Sequence, residues 1–232
     1  MRPVLISFVL SLTNGLHAEM INLDFSNTWG SPPATYGAAS GQVGVWNVYG
    51  YPDRNTSLSL VDTAGNTISG ASLIFNAPYG SAGAGGTWVP DVYKPLLADG
   101  ISTDENGSFT VTIAGLAAGD YDLYSYAFIP FTSSSNGMTV SVAGALQGTE
   151  SVTGQFPDPA NYSLNATHAL HTLSLTTGQN IFATIGSYGS SGTNALSGLQ
   201  IVPTSVPEPS TLLLLGSGLV GLVGFGRKKF KK

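Results

Sequence analysis

Apolar and polar residues alternate with a period of two, or gather in short apolar runs, along most of the chain. Ten such stretches stand out: Met20–Phe25, Val43–Val48, Ser57–Asp62, Ile68–Phe75, Ser108–Ile113, Asp120–Phe128, Met138–Ala143, His168–Thr176, Ile181–Gly186 and Leu196–Val202. They are rich in Val, Ile, Thr, Tyr and Phe, whose side chains suit a pleated, half-buried surface, and they read as strands. Turn chemistry separates them. Asp62-Thr-Ala-Gly65-Asn66 joins two, Asn106-Gly107 precedes another, and Asn136-Gly137 follows a run of serines. No apolar pattern of helical period runs for ten residues between them. The prediction is all-β: one β-sandwich, jelly-roll-like, over residues 19–203. Ser81–Thr87 reads by composition as a flexible loop, and the body has no internal repeat or interior linker.

The two ends follow a different pattern. At the N-terminus, Arg2 precedes an apolar run from Val4 to Leu12, then polar Thr13-Asn14-Gly15 and small Ala18. That is the layout of a secretory signal peptide over residues 1–18. At the C-terminus, Leu212–Phe225 contains only one polar residue, Ser217. As a helix it reaches ~21 Å, and extension to residues 211–226 with snorkelling lysines makes a marginal membrane span. The basic tail Arg227, Lys228, Lys229, Lys231 and Lys232 follows, and the positive-inside rule keeps it cytoplasmic with the body outside. The sequence Gly216-Ser-Gly218-Leu-Val-Gly221 fits a dinucleotide fingerprint, but only 11 residues follow Gly221 and none is acidic. Its glycines fit close helix packing instead.

Directly before the apolar segment stands Val206-Pro207-Glu208-Pro209-Ser210-Thr211. Two prolines at alternate positions force extended backbone. Motif, apolar run and basic tail, in that order over 204–232, resemble the PEP-CTERM sorting signal of Gram-negative bacteria. The resemblance implies an inner-membrane-anchored precursor whose processing partner is exosortase, and a final place at the cell surface or in the extracellular matrix. Within the body, Gly115–Tyr126 and Leu196–Val202 resemble the turn-plus-strand and closing strand of galactose-binding-like sandwiches, which implies sugar binding at a loop end.

Composition and charge narrow the function further. The chain has 232 residues, 9 % of them charged, and no cysteine, so thiol chemistry and cysteine metal sites are excluded. Thirty glycines and 13 prolines fit many turns. Between Glu19 and Val206 only Arg54 and Lys94 are cationic against twelve carboxylates, a body near −10. Such a surface repels phosphate backbones and excludes nucleic acid as a partner.

Candidate chemistry in the body is sparse. There is no G-x-S-x-G nucleophile motif. His168 and His171, three apart on a predicted strand, point to opposite faces and read as ordinary surface or half-buried histidines. Asp120 and Asp122 share a strand face at a separation that a glycosidase pair permits without requiring. Asp99, Asp104, Glu105, Asp120 and Asp122 are candidate calcium ligands, the one cofactor considered. Among Trp29, Trp46 and Trp88, Trp46 sits in an apolar stretch and reads as core. Trp88, with Tyr93, follows a glycine-rich loop beside Pro90, Asp91 and Lys94 and is the candidate sugar platform. Four Asn-x-Ser/Thr sequons, at Asn55, Asn106, Asn161 and Asn165, fit chance in a Ser/Thr-rich bacterial chain.

The function expected from sequence is a non-enzymatic, exosortase-sorted surface or matrix protein with a structural or adhesive role. The alternative is a carbohydrate-binding module acting on exopolysaccharide, and a secreted hydrolase ranks third.

Overall fold

A computed structural model describes residues 19–25, 29–39, 43–50, 55–76, 80–83, 89, 91, 93–102, 107–126, 135–142, 144–152, 162–188 and 195–204. The expected signal peptide (1–18), Trp88, Asp104, Glu105 and the expected sorting signal from residue 205 onward lie outside these residues.

The elements in chain order are β1 (Ile21–Asp24), β2 (Trp46–Val48), β3 (Leu58–Val61), β4 (Thr67–Phe75), β5 (Gly80–Gly83), α1 (Lys94–Leu97), β6 (Asp99–Ser102), β7 (Phe109–Ala114) and β8 (Gly119–Tyr126). They continue with β9 (Ser135–Val142), β10 (Ala145–Val152), β11 (His168–Leu175), β12 (Ile181–Tyr188), β13 (Ala195–Leu196) and β14 (Gly198–Pro203). One sheet has the order β11-β8-β14-β1-β2, a second β10-β9-β12-β7-β4-β3, and a small third β13-β6-β5. Every pairing is antiparallel except β1 with β2.

Alternation along each strand builds the core. In β8, Tyr121 and Leu123 turn inward and are fully buried, while Asp120 and Asp122 turn out. β11 buries Ala169, Leu173 and Leu175 and exposes Thr172 and Ser174. These inward residues, with Ile21, Leu23, Leu199 and Ile201, meet Leu73, Val111, Ile113, Ile181, Ala183 and Ile185 of the second sheet in one cluster. Two sheets face to face over an alternating core make a β-sandwich.

Three strands, β5, β6 and β10, lie outside the stretches expected from sequence. Ser81–Gly83, part of the Ser81–Thr87 stretch expected as loop, belongs to β5 (Gly80–Gly83), which pairs with β6 in the register Gly80↔Ser102 to Gly83↔Asp99. Its Gly, Ser and Ala side chains carry no strand signal, so a ladder contributed from elsewhere decides it. β10 also escapes the pattern because it is an edge strand with most described residues exposed or half-buried.

The sandwich has two unlike ends. Ile21 pairs with Ile201 at the start of β1, and Thr204 N–H donates to the Asp120 carbonyl at 2.9 Å just past β14. The Asp62–Asn66 turn and the Gly115–Ala118 turn are at this same end, since Tyr121 O–H donates to the Ala117 carbonyl and Thr63 N–H to the Met20 carbonyl. At this end the chain enters, the chain leaves and hairpins are short. The longer connections, such as those after Phe25, after Tyr126 and before His168, start or finish at the opposite end, where Tyr126 pairs with both Gly198 and His168.

Candidate functional site

The outer face of the first sheet is covered over part of its area. A strap, residues 29–39, and α1 pack on it. Gly198 lets them approach: a Cβ there would sit 2.5 Å from the Leu23 carbonyl oxygen and 2.7 Å from Leu96 Cδ1. Gln200, fully buried, ties strap to sheet. Its Oε1 accepts from the Tyr126 hydroxyl and from Ala39 N–H (3.2 Å), and its Nε2 donates to Asn22 Oδ1 (2.9 Å). Ala38 N–H in turn donates to the Tyr126 hydroxyl at 2.6 Å. Every buried polar atom of Gln200 thus has a partner, which burial demands.

Under the strap lies a tyrosine cluster centred on Tyr162. Its ring meets Tyr36, Tyr93 and Tyr126 edge to face, at centroid separations of 5.5, 5.2 and 5.6 Å. Burial pushes the Tyr36 phenol up to about 12 and drives Tyr126 and Tyr162 further in the same direction, so all three stay protonated. Tyr93, expected on a sugar platform, is 1 % exposed and its ring is spent on this packing; it holds α1 down and offers no face to a ligand. Trp46 is core as expected, with its indole N–H donating to the Pro33 carbonyl at 3.2 Å.

The histidines do separate to opposite faces. Contrary to expectation, both are buried, at 5 % and 4 % exposure. His168 packs beneath the tyrosines, with ring centroids 5.7 Å from Tyr124 and 5.8 Å from Tyr126 and Nδ1 3.1 Å from Thr167 Oγ1. Burial lowers its pKa to about 4. His171 faces inward, where a Cβ on Gly148 of β10 would lie 3.3 Å from its ring. Neighbouring elements fold over both sides of β11, which the sequence of β11 alone does not foretell.

The expected carboxylates scatter. Asp120 and Asp122 accept hydrogen bonds from Ser174 and Thr172 across the strand pair, on a solvent-facing surface. Asp99 is 7 % exposed in β6. Among the described residues no three His, Asp or Glu side chains gather closely enough to hold a metal ion.

At the rim of the covered face an aromatic remains open. Trp29, in the strap, is 42 % exposed, and Lys94 Nζ sits over its ring at 5.6 Å. Lys94 also pairs with Asp91, whose side chain is exposed to solvent. An indole face flanked by one cation and one carboxylate can stack on an apolar sugar face and hydrogen-bond its hydroxyls. Sequence reasoning preferred Trp88. Trp29 lies 65 positions from Lys94, so no local spacing announces their contact.

Comparison with known proteins gives a structural and a sequence result. A family 35 carbohydrate-binding module from Clostridium thermocellum is similar at 17 % identity and TM-score 0.35, over 56 % of this chain and 90 % of that one. A family 35 module from Cellvibrio japonicus is similar at 16 % identity and TM-score 0.33, over 57 % of this chain and 94 % of that one. A calcium-binding mutant of Bacteroides uniformis beta-glucuronidase 2 reaches TM-score 0.42 at 12 % identity, over 83 % of this chain and 19 % of that one. No curated protein matches the sequence. Residues 205–228 match the PEP-CTERM protein-sorting motif, beginning one residue beyond Thr204. The chain therefore carries a PEP-CTERM sorting signal, which marks it as a protein exported and processed by exosortase.

Proposed function

We propose that the protein is a non-catalytic component of the cell surface or extracellular matrix, sorted there by exosortase and acting there structurally or as an adhesin. The observation that carries this reading is the sorting motif at 205–228, which follows the last strand of the sandwich with almost no spacer. The exposed faces add support: Asp120 and Asp122 face solvent from one strand and are each engaged by a hydroxyl, a poor setting for paired acid and base chemistry. Replacement of Pro207, Glu208 and Pro209 together by alanine is expected to leave the precursor in the inner membrane, read by cell fractionation. Normal arrival at the surface or in the medium would sink the reading.

A second reading, carbohydrate binding, rests on the open Trp29 ring beside Lys94 and Asp91. Sedimentation of the mature protein with the host's own exopolysaccharide tests it. Trp29→Ala is expected to cut binding at least tenfold, as loss of one stacking ring commonly does. A loss confined to Trp88→Ala moves the platform to the neighbouring loop, and sensitivity to EDTA assigns calcium to the interaction. No binding by the unmodified protein removes the carbohydrate reading.

A further inference from the structure

The short-turn end of the sandwich is the end the sorting enzyme meets. Thr204 is hydrogen-bonded into the fold, and β14 lies between β8 and β1 in the middle of its sheet. Fraying it would break ladders on both sides. From Thr204 to Pro207 is three residues. However arranged, they span at most ~11 Å. Eight residues to Leu212 span at most ~29 Å. An enzyme gripping the motif works within that distance of the folded end, so contact between the two is forced by covalent reach.

That end carries two features suited to a protein partner. Val43 and Val45 are 57 % and 45 % exposed, among the few large apolar side chains left open in the described residues. Val45 N–H donates to the Thr63 carbonyl, which ties the valines to the Asp62–Asn66 turn. The same turn contributes Asp62 and Asn66 to a pocket of ≈ 230 Å³ that Glu19, Ser69 and Leu116 also line. The Asp62 carboxylate is held ionised: burial acts to raise its pKa, but hydrogen bonds from Asn66 and Ala64 outweigh it.

We propose that Val43, Val45 and the adjoining acidic pocket form a docking surface for the exoplasmic face of exosortase, receiving a loop that presents apolar side chains flanked by a cation. The carboxylates favour such a loop over anionic lipid headgroups, which they repel. The proposal rests on the sorting-motif reading and adds a second recognition element outside the motif.

Pulse-chase of the full-length precursor, in cells containing its exosortase, tests it. V43D/V45D and the near-isosteric V43T/V45T are expected to slow processing at least fivefold and about twofold, with the thermal midpoint of the mature protein unchanged. A Gly/Ser spacer of roughly ten residues between Thr204 and Ser205 is expected to slow processing too, and to erase the difference between V43D/V45D and the unmodified valines. Processing of V43D/V45D at the unmodified rate overturns the proposal. So does faster processing with the spacer, which would make the sandwich only an obstacle. Binding of the mature protein to vesicles of host phospholipid, lost in V43D/V45D, would assign the valines to lipid and overturn it as well. Alanine at Pro207, Glu208 and Pro209 is the control: normal processing there means the motif reading fails, a result separable from failure of docking.

Discussion

Two residues show how position, more than residue type, sets the cost of a change. Gly70 and Gly115 both adopt left-handed backbone, with φ of +80° and +74°. Around a Cβ on Gly70 nothing lies within 4 Å, whereas one on Gly115 would meet the Gly70 carbonyl oxygen at 1.9 Å. Gly70→Ala is expected to cost about 1 kcal/mol from conformation alone. Gly115→Ala adds a clash with backbone and is expected to cost more than about 2 kcal/mol, both read by denaturant titration. His168 supplies a pH signature. Its pKa falls from an ordinary 6.5 unfolded to about 4 in the fold, because burial penalises the charged ring. The unfolded chain therefore binds the proton more readily, and stability drops as pH falls from 6.5 toward 4, by up to about 3 kcal/mol. His168→Gln is expected to flatten that part of the stability profile relative to the unmodified protein. An unchanged slope would overturn the assignment to His168.

At the scale of elements, strands with one buried face were legible and those without were not. β8 and β11 alternate because one face meets the core, and the sequence displays that alternation directly. β10 has no such face to advertise, and the Gly-Ser-Ala-Gly sequence of β5 shows no alternation. The strap is a third case: residues 29–39 contain no periodicity, and their position follows from Gln200, 161 positions beyond Ala39 in the chain. Gln200→Ala removes partners from Tyr126, Ala39 and Asn22 at once and opens a small cavity. A loss of about 3–5 kcal/mol is expected, with faster amide exchange at Ala38 and Ala39. Unchanged exchange there would show that the tyrosine cluster alone holds the strap.

Across the whole molecule, the placement of the ends ties fold to function. Chain entry and exit share the short-turn end, so the sorting signal is joined to the fold there, opposite the end that carries the long connections. The main core runs through both large sheets and includes Ile101 and Leu196 of the small third sheet. Residues 19–204 are accordingly expected to unfold in a single calorimetric transition. Two resolved transitions would show that the strap and third sheet form a separate cooperative unit.

The sequence by itself determined that the protein is exported and processed, and the class of fold. A sorting signal is read in extended or membrane-bound form, so Pro207-Glu208-Pro209, the apolar run and the basic tail carry their meaning in linear order. Strand alternation is local for the same reason: neighbours two apart share a face whatever the fold. The tertiary structure alone decided which aromatics are open. Tyr93 and Trp29 are both aromatic residues in polar surroundings in the sequence, yet Tyr162 buries the first and the second keeps its ring at the surface under Lys94. It also decided that the exposed Val43 and Val45 lie at the end of the sandwich where β14 finishes. Such juxtapositions join residues tens to hundreds of positions apart. They are set by sheet order and register, which no local pattern of side chains encodes.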